Sequence, residues 1–175
     1  MAGKLHLYTG EGKGKTTAAM GLALRCLGHG KRVLIAQFMK DGESGELAAL
    51  EQFALCRIEK GEPVRKFTFQ MTKDELEATA ASQTEYARAL IRQIAAFSPE
   101  LTVLDELACA AGYALLEESA ARELIAAAIA SGECAVTGRD APAWLCDMAD
   151  YVSDVCAVRH PYDTQGLCAR EGVEY

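Results

Sequence analysis

The chain has 175 residues, half of them hydrophobic, and carries 18 Lys and Arg against 25 Asp and Glu for a net charge of −7. That length suits one compact domain, spanning 1–175, that buries roughly two-thirds of its unfolded surface. The acidic balance argues against a surface that tracks nucleic-acid phosphates, which needs clustered cations, and no run of about 18 apolar residues offers a membrane span.

Strand and helix patterns alternate along the chain, which predicts an α/β fold with a mostly parallel sheet flanked by helices on both faces. Met1-Ala2-Gly3-Lys4 lacks a basic-then-apolar export signal, so a cytoplasmic address is expected. Residues 4–9 read as the first strand, followed by a Gly-rich turn and an apolar helix over 16–27 that Gly28 and Gly30 stop. The short apolar run Val33 to Phe38 suits a buried central strand, and a third strand is expected over 53–59. Thr72-Lys73-Asp74-Glu75 is a capping box, its hydroxyl and carboxylate serving the first N–H groups of a long helix. Leu76, Ala80, Ala87, Leu90, Ile91 and Ile94 share one face of that helix, and Pro99 follows its end. Leu101 to Leu104 form another buried strand, which stops at Asp105-Glu106. Helix 118–130, strand 133–137, helix 141–149 and strand 151–158 complete the pattern.

Seven cysteines, an odd and scattered number without a Cys-x-x-Cys pair, and three well-separated histidines do not make a zinc site or a disulfide framework. They are expected to be reduced thiols acting as small core residues.

Chemistry enters at Thr9-Gly10-Glu11-Gly12-Lys13-Gly14-Lys15-Thr16-Thr17, placed between the first strand and the first helix. That is the context of a P-loop. Glycines let the backbone curl so that successive N–H groups converge on phosphate oxygens, and the helix N-terminus adds its partial positive charge. Lys15 supplies a mobile point charge, and Thr16 a hydroxyl for Mg²⁺. The general motif has Gly where this chain has Thr9, and Gly10 and Gly12 can supply the flexibility. A second metal-binding group is required on another strand, and Asp105 or Glu106, at the carboxyl end of an apolar strand, provides it. The fold class is therefore a single-domain, P-loop NTPase-like (RecA-like) α/β domain.

Further stretches carry a resemblance. Residues 9–19, Gly28-His29-Gly30-Lys31-Arg32-Val33, Gln37-Phe38-Met39-Lys40 with Gly45-Glu46, Leu104-Asp105-Glu106-Leu107, Thr137-Gly138-Arg139, and His160-Pro161-Tyr162-Asp163 with Gly172-Val173-Glu174-Tyr175 stand in order along the chain. In these the sequence resembles the P-loop family of ATP:corrinoid adenosyltransferases over nearly its whole length, and Thr at the first P-loop position is a mark of that family.

The resemblance implies transfer of the 5′-deoxyadenosyl group of ATP to a Co(I) corrinoid with release of triphosphate. It implies a triphosphate held in the P-loop with reversed polarity, Mg²⁺, a reduced flavoprotein as electron donor, and a homodimer. Lys15, Thr16 and Glu106 would be catalytic, with Thr16 and Asp105 or Glu106 at the metal. Thr9 to Thr17, Arg25 and Arg139 would meet the nucleotide. Phe67 and Phe69 fall at the family's aromatic-x-aromatic position and would desolvate the lower face of the corrinoid; His160 belongs to the C-terminal motif, with either a structural or a functional part. The P-loop by itself would equally serve a phosphotransferase or NTPase, or a nucleotide-dependent binding switch without turnover.

Overall fold

The computed structural model describes residues 3–40, 44–64, 66 and 68–173. Six strands form one all-parallel sheet: β1 (Leu5–Thr9), β2 (Val33–Gln37), β3 (Cys56–Lys60), β4 (Leu101–Asp105), β5 (Glu133–Thr137) and β6 (Tyr151–Asp154), in the spatial order β3-β2-β4-β5-β1-β6. The helices are α1 (Lys15–Gly28), α2 (Gly45–Leu50), α3 (Lys73–Phe97), α4 (Leu107–Gly112), α5 (Glu118–Ser131), α6 (Ala143–Met148) and α7 (Pro161–Gln165).

Side chains alternate across a strand, so a sheet covered on both faces must split its apolar residues between two cores. Leu34, Leu104 and Val136 pack with α3, α5 and their neighbours, whereas Val33, Ile35, Val103 and Ala135 pack under α1 and α2. The central strands β2 and β4 are buried at every position, which is why they read as unbroken apolar runs. Long helix α3 begins as its capping box requires: Glu75 N–H donates to Thr72 Oγ1 and Thr72 N–H donates to the Glu75 carboxylate. No helix among the described residues is long and apolar enough to cross a membrane.

Several boundaries differ from expectation. The third strand starts at Cys56, because Phe53 turns the chain by accepting the Cys56 N–H. The last strand ends at Asp154 and is exposed throughout, as an edge strand held only by β1 can be. The sixth helix begins after Pro142, which stays extended. On α3, Leu76, Ala80 and Ile91 are half-buried, and the polar Gln83 and Thr84 are buried instead, since Thr84 Oγ1 caps the Glu117 N–H across the α3–α5 contact. Helices α2, α4 and α7 escape a periodicity reading because they last little more than one turn. All seven cysteines are thiols, but only Cys109 and Cys134 are buried and Cys156 and Cys168 are exposed, which corrects the expectation of core packing for the set.

Register positions the site. Gln37 pairs with Asp105, and Tyr8 with Thr137, so β1, β2, β4 and β5 end at one level. Strand β5 lies between β1 and β4, and Thr137 therefore stands between the P-loop and the acidic strand end.

Candidate nucleotide-binding site

At the carboxyl end of β1 the chain turns through Gly10 (φ 96°) and Gly14 (φ 117°), left-handed conformations that disfavour a side chain. The strand ending at Asp154 braces this loop. Val155 N–H donates to Thr9 O at 2.8 Å, and Gly12 N–H donates to Val155 O at 2.6 Å. A Cβ at Gly10 would stand 2.1 Å from Asp154 Oδ1, and one at Gly12 would stand 2.6 Å from Val155 O. Both glycines thus serve close approach as well as curvature.

Lys15 opens α1 and curls back, its ammonium donating to Gly10 O at 2.7 Å and Gly12 O at 2.8 Å. Desolvation, followed by the nearby Arg139 guanidinium, lowers its pKa, while Glu106 and Glu11 oppose the shift. A cation held at an electrostatic disadvantage in the fold is suited to an incoming anion.

Beside it, Thr16 Oγ1 donates to Asp105 Oδ1 at 2.8 Å. Asp105 is fully buried, and three further donors reach it: Thr137 Oγ1 on Oδ1 at 2.7 Å, Gln37 Nε2 on Oδ2 at 3.0 Å and Lys40 Nζ on Oδ2 at 2.6 Å. Desolvation alone would raise the Asp105 pKa, yet the Lys40 charge and these hydrogen bonds outweigh it and hold the carboxyl below its ordinary value. The Lys40 pKa is raised by the same pair in spite of desolvation, so both partners stay ionised.

Glu106 takes a left-handed conformation (φ 61°) at the start of α4, which lets it leave the strand direction and line the cleft, while its N–H donates to Thr137 Oγ1 at 2.9 Å. Arg139, in the turn after β5, pairs with Glu11 at 3.1 Å across the P-loop mouth, and its N–H meets Cys109 Sγ at 3.1 Å. Burial pushes the Cys109 thiol up to about 12, which keeps it protonated and unreactive at neutral pH.

These groups surround a cleft of about 770 Å³. Gly12 to Thr17, Glu106, Arg139 and His160 line it; Thr9 lies at its back and Glu11 reaches it through Arg139. His160 Nδ1 also accepts the Tyr162 N–H and so caps α7. Arg25 is not brought in. It is exposed in the last turn of α1, ten residues and about 15 Å along the helix from Lys15. Phe69 sits in a 3₁₀ turn (Thr68–Gln70), 81% exposed and outside the cleft lining, and Phe67 lies outside the described residues.

Three contributors are absent from a motif-based reading: Lys40, Gln37 and Thr137. All sit within the stretches 37–40 and 137–139, and their signal is position at the carboxyl ends of strands that flank β4 in the sheet. The donor set near Thr16 consists of a hydroxyl and carboxylates, with no cluster of three His, Cys, Asp or Glu among the described residues. Oxygen ligands of this kind fit Mg²⁺, which keeps several waters and takes few protein groups.

The whole chain, residues 1–175, matches the family described as ATP:corrinoid adenosyltransferase BtuR/CobO/CobP. It is 33% identical to the corrinoid adenosyltransferase of Escherichia coli (strain K12) over 174 residues, 99% of this chain and 86% of that protein. The corrinoid adenosyltransferase of Salmonella typhimurium is equally similar, at 33% over the same shares. That of Pseudomonas aeruginosa is 33% identical over 176 residues, 99% of this chain and 84% of the relative.

Proposed function

The chain belongs to the ATP:corrinoid adenosyltransferase family, and from that premise we propose how its cleft performs the transfer. The enzyme moves the 5′-deoxyadenosyl group of ATP to a Co(I) corrinoid in adenosylcobalamin biosynthesis. A cobalt–carbon bond forms at the ribose 5′ carbon as the carbon–oxygen bond to the α-phosphate breaks, and the bond electrons leave with triphosphate.

The residues that carry this reading are the P-loop and Asp105, joined through Thr16. Loop N–H groups, the α1 terminus and Lys15 would hold the triphosphate and stabilise charge as it develops on the departing chain. Thr16, Asp105 and Glu106 would hold Mg²⁺, which neutralises polyphosphate charge when bound. Asp105 lies deep and saturated with donors, and Glu106 faces the cleft, so Asp105 acts through Thr16 and Glu106 toward the open side. Arg139 and Glu11 cover the loop mouth. No protein base is needed, because Co(I) is itself the nucleophile and no proton moves.

The Co(I) state must be made from Co(II), and loss of a lower axial ligand eases that reduction. Phe67 and Phe69 would supply the apolar surface that excludes water and the nucleotide tail. The exposure of the Phe69 ring supports a role on a substrate face instead of in the core. Phe69→Ala is expected to spare reaction with chemically reduced Co(I) and to slow protein-assisted reduction of Co(II) by at least about tenfold. Equal losses in both assays would remove the role. A reduced flavoprotein donor, a homodimer and a cytoplasmic setting complete the proposal, on the strength of the family resemblance and of the need for ATP and low-potential electrons.

The test mixes the protein, Mg-ATP and reduced cobalamin under anaerobic conditions. Triphosphate and a light-sensitive cobalt–carbon product are expected in equal amounts. ADP and phosphate instead would indicate attack at the γ-phosphate, and tight ATP binding without product would indicate a switch.

A further inference from the structure

Lys40 carries a consequence that rests on the nucleotide-site reading above and deepens it. Asp105 has four donors on two oxygens, and three of them are neutral groups anchored in regular elements: Thr16 in α1, Gln37 in β2 and Thr137 in β5. Lys40 differs from all three. It bears the charge, it stands beyond the end of β2 just after Met39 in a left-handed conformation (φ 55°), and its side chain keeps 27% exposure while lining the cleft. Its ammonium lies 2.6 Å from Asp105 Oδ2 and 3.4 Å from Thr16 Oγ1, the two groups assigned to the metal.

Two cations cannot both sit within contact distance of that hydroxyl–carboxylate pair without strong repulsion in a partly desolvated site. A lysine stem has four rotatable bonds and a compact charge, so its head can leave Asp105 and remain in the cleft. We propose that Lys40 is a tethered counter-cation of the triphosphate site: its ammonium holds the Thr16–Asp105 position and yields it to a nucleotide-borne divalent cation, turning to the phosphates. Asp105 then always has a cation, and the triphosphate meets two lysines, Lys15 from the loop and Lys40 from the neighbouring strand end. Lys40 is in this sense a positioning residue for the metal as well as a phosphate contact.

The decisive quantity is how strongly ATP affinity depends on Mg²⁺, measured by titration calorimetry in excess Mg²⁺ and in EDTA. Wild type is expected to bind ATP in both. Lys40→Met should weaken binding in EDTA by about tenfold or more, the effect of one charge-assisted hydrogen bond, and Mg-ATP binding by less than about threefold. Lys40→Arg should recover binding in EDTA. If Lys40→Met does not fold, Lys40→Gln, which retains a neutral donor for Asp105, is judged by the same criterion. Equal weakening in both conditions, or none in either, would overturn the assignment. A wild-type protein that fails to bind Mg-ATP would instead defeat the nucleotide-site reading itself.

Discussion

Lys15→Ala is expected to lower kcat/KM for adenosyl transfer by about a thousandfold, the upper range for loss of one preorganised group facing developing charge. The ammonium is buried between Gly10 O and Gly12 O, and its lowered pKa means that the fold holds the charged form at a disadvantage. Removing it should therefore cost activity and leave the melting temperature nearly unchanged, since no carboxylate loses a partner. Lys15→Arg should not restore turnover, because a planar guanidinium does not fit a space shaped by two carbonyls around a point charge. Initial rates of triphosphate release, with calorimetric melting alongside, decide the matter. Full activity in Lys15→Ala would count heavily against the P-loop assignment.

Asp105→Ala should show the opposite balance, losing stability and activity together. The substitution strands the Lys40 charge and withdraws the acceptor from Thr16, Thr137 and Gln37 in one step. Breaking a buried pair in this way costs about 3–5 kcal/mol, and the partial exposure of Lys40 places the value near the lower end. For a domain of this size that corresponds to a fall of roughly 6–12 °C in melting temperature. The carboxyl pKa is depressed, so its contribution is fully present above the ordinary value of 3.8 and is lost as pH falls through the lower folded value. Wild type should accordingly lose stability below about pH 4 by a component that Asp105→Ala lacks. A variant that melts with wild type at neutral pH would show that the four-donor arrangement contributes nothing to the fold.

Much of this was legible from residue order. Glycine spacing, a lysine and a threonine between an apolar strand and an apolar helix state a phosphate loop without reference to the rest of the chain, because the loop's geometry is local. The Thr72–Glu75 capping box is local in the same way, and the structure realises both of its hydrogen bonds. Burial of β2 and β4 follows from runs too apolar for any surface position.

What escaped is non-local. Lys40, Gln37 and Thr137 carry no motif, and they matter because strand order places three strand ends around one carboxylate. Asp105 and Glu106 are adjacent and chemically alike, and alternation along a strand followed by a left-handed turn sends one into the sheet and the other into the cleft. Arg25 looked equivalent to Arg139 as a basic residue near a glycine-rich element, but helix rise carries Arg25 away while register returns Arg139 to the loop.

Residue order alone determined the phosphate loop, the alternation of strands and helices, and the family to which the chain belongs, because each is written in short-range spacing. Tertiary structure alone decided which charges share the site and which carboxylate is sealed. Those outcomes depend on distances between segments some 24 to 89 residues apart, set by the pairing of parallel strands and by the desolvation that pairing imposes.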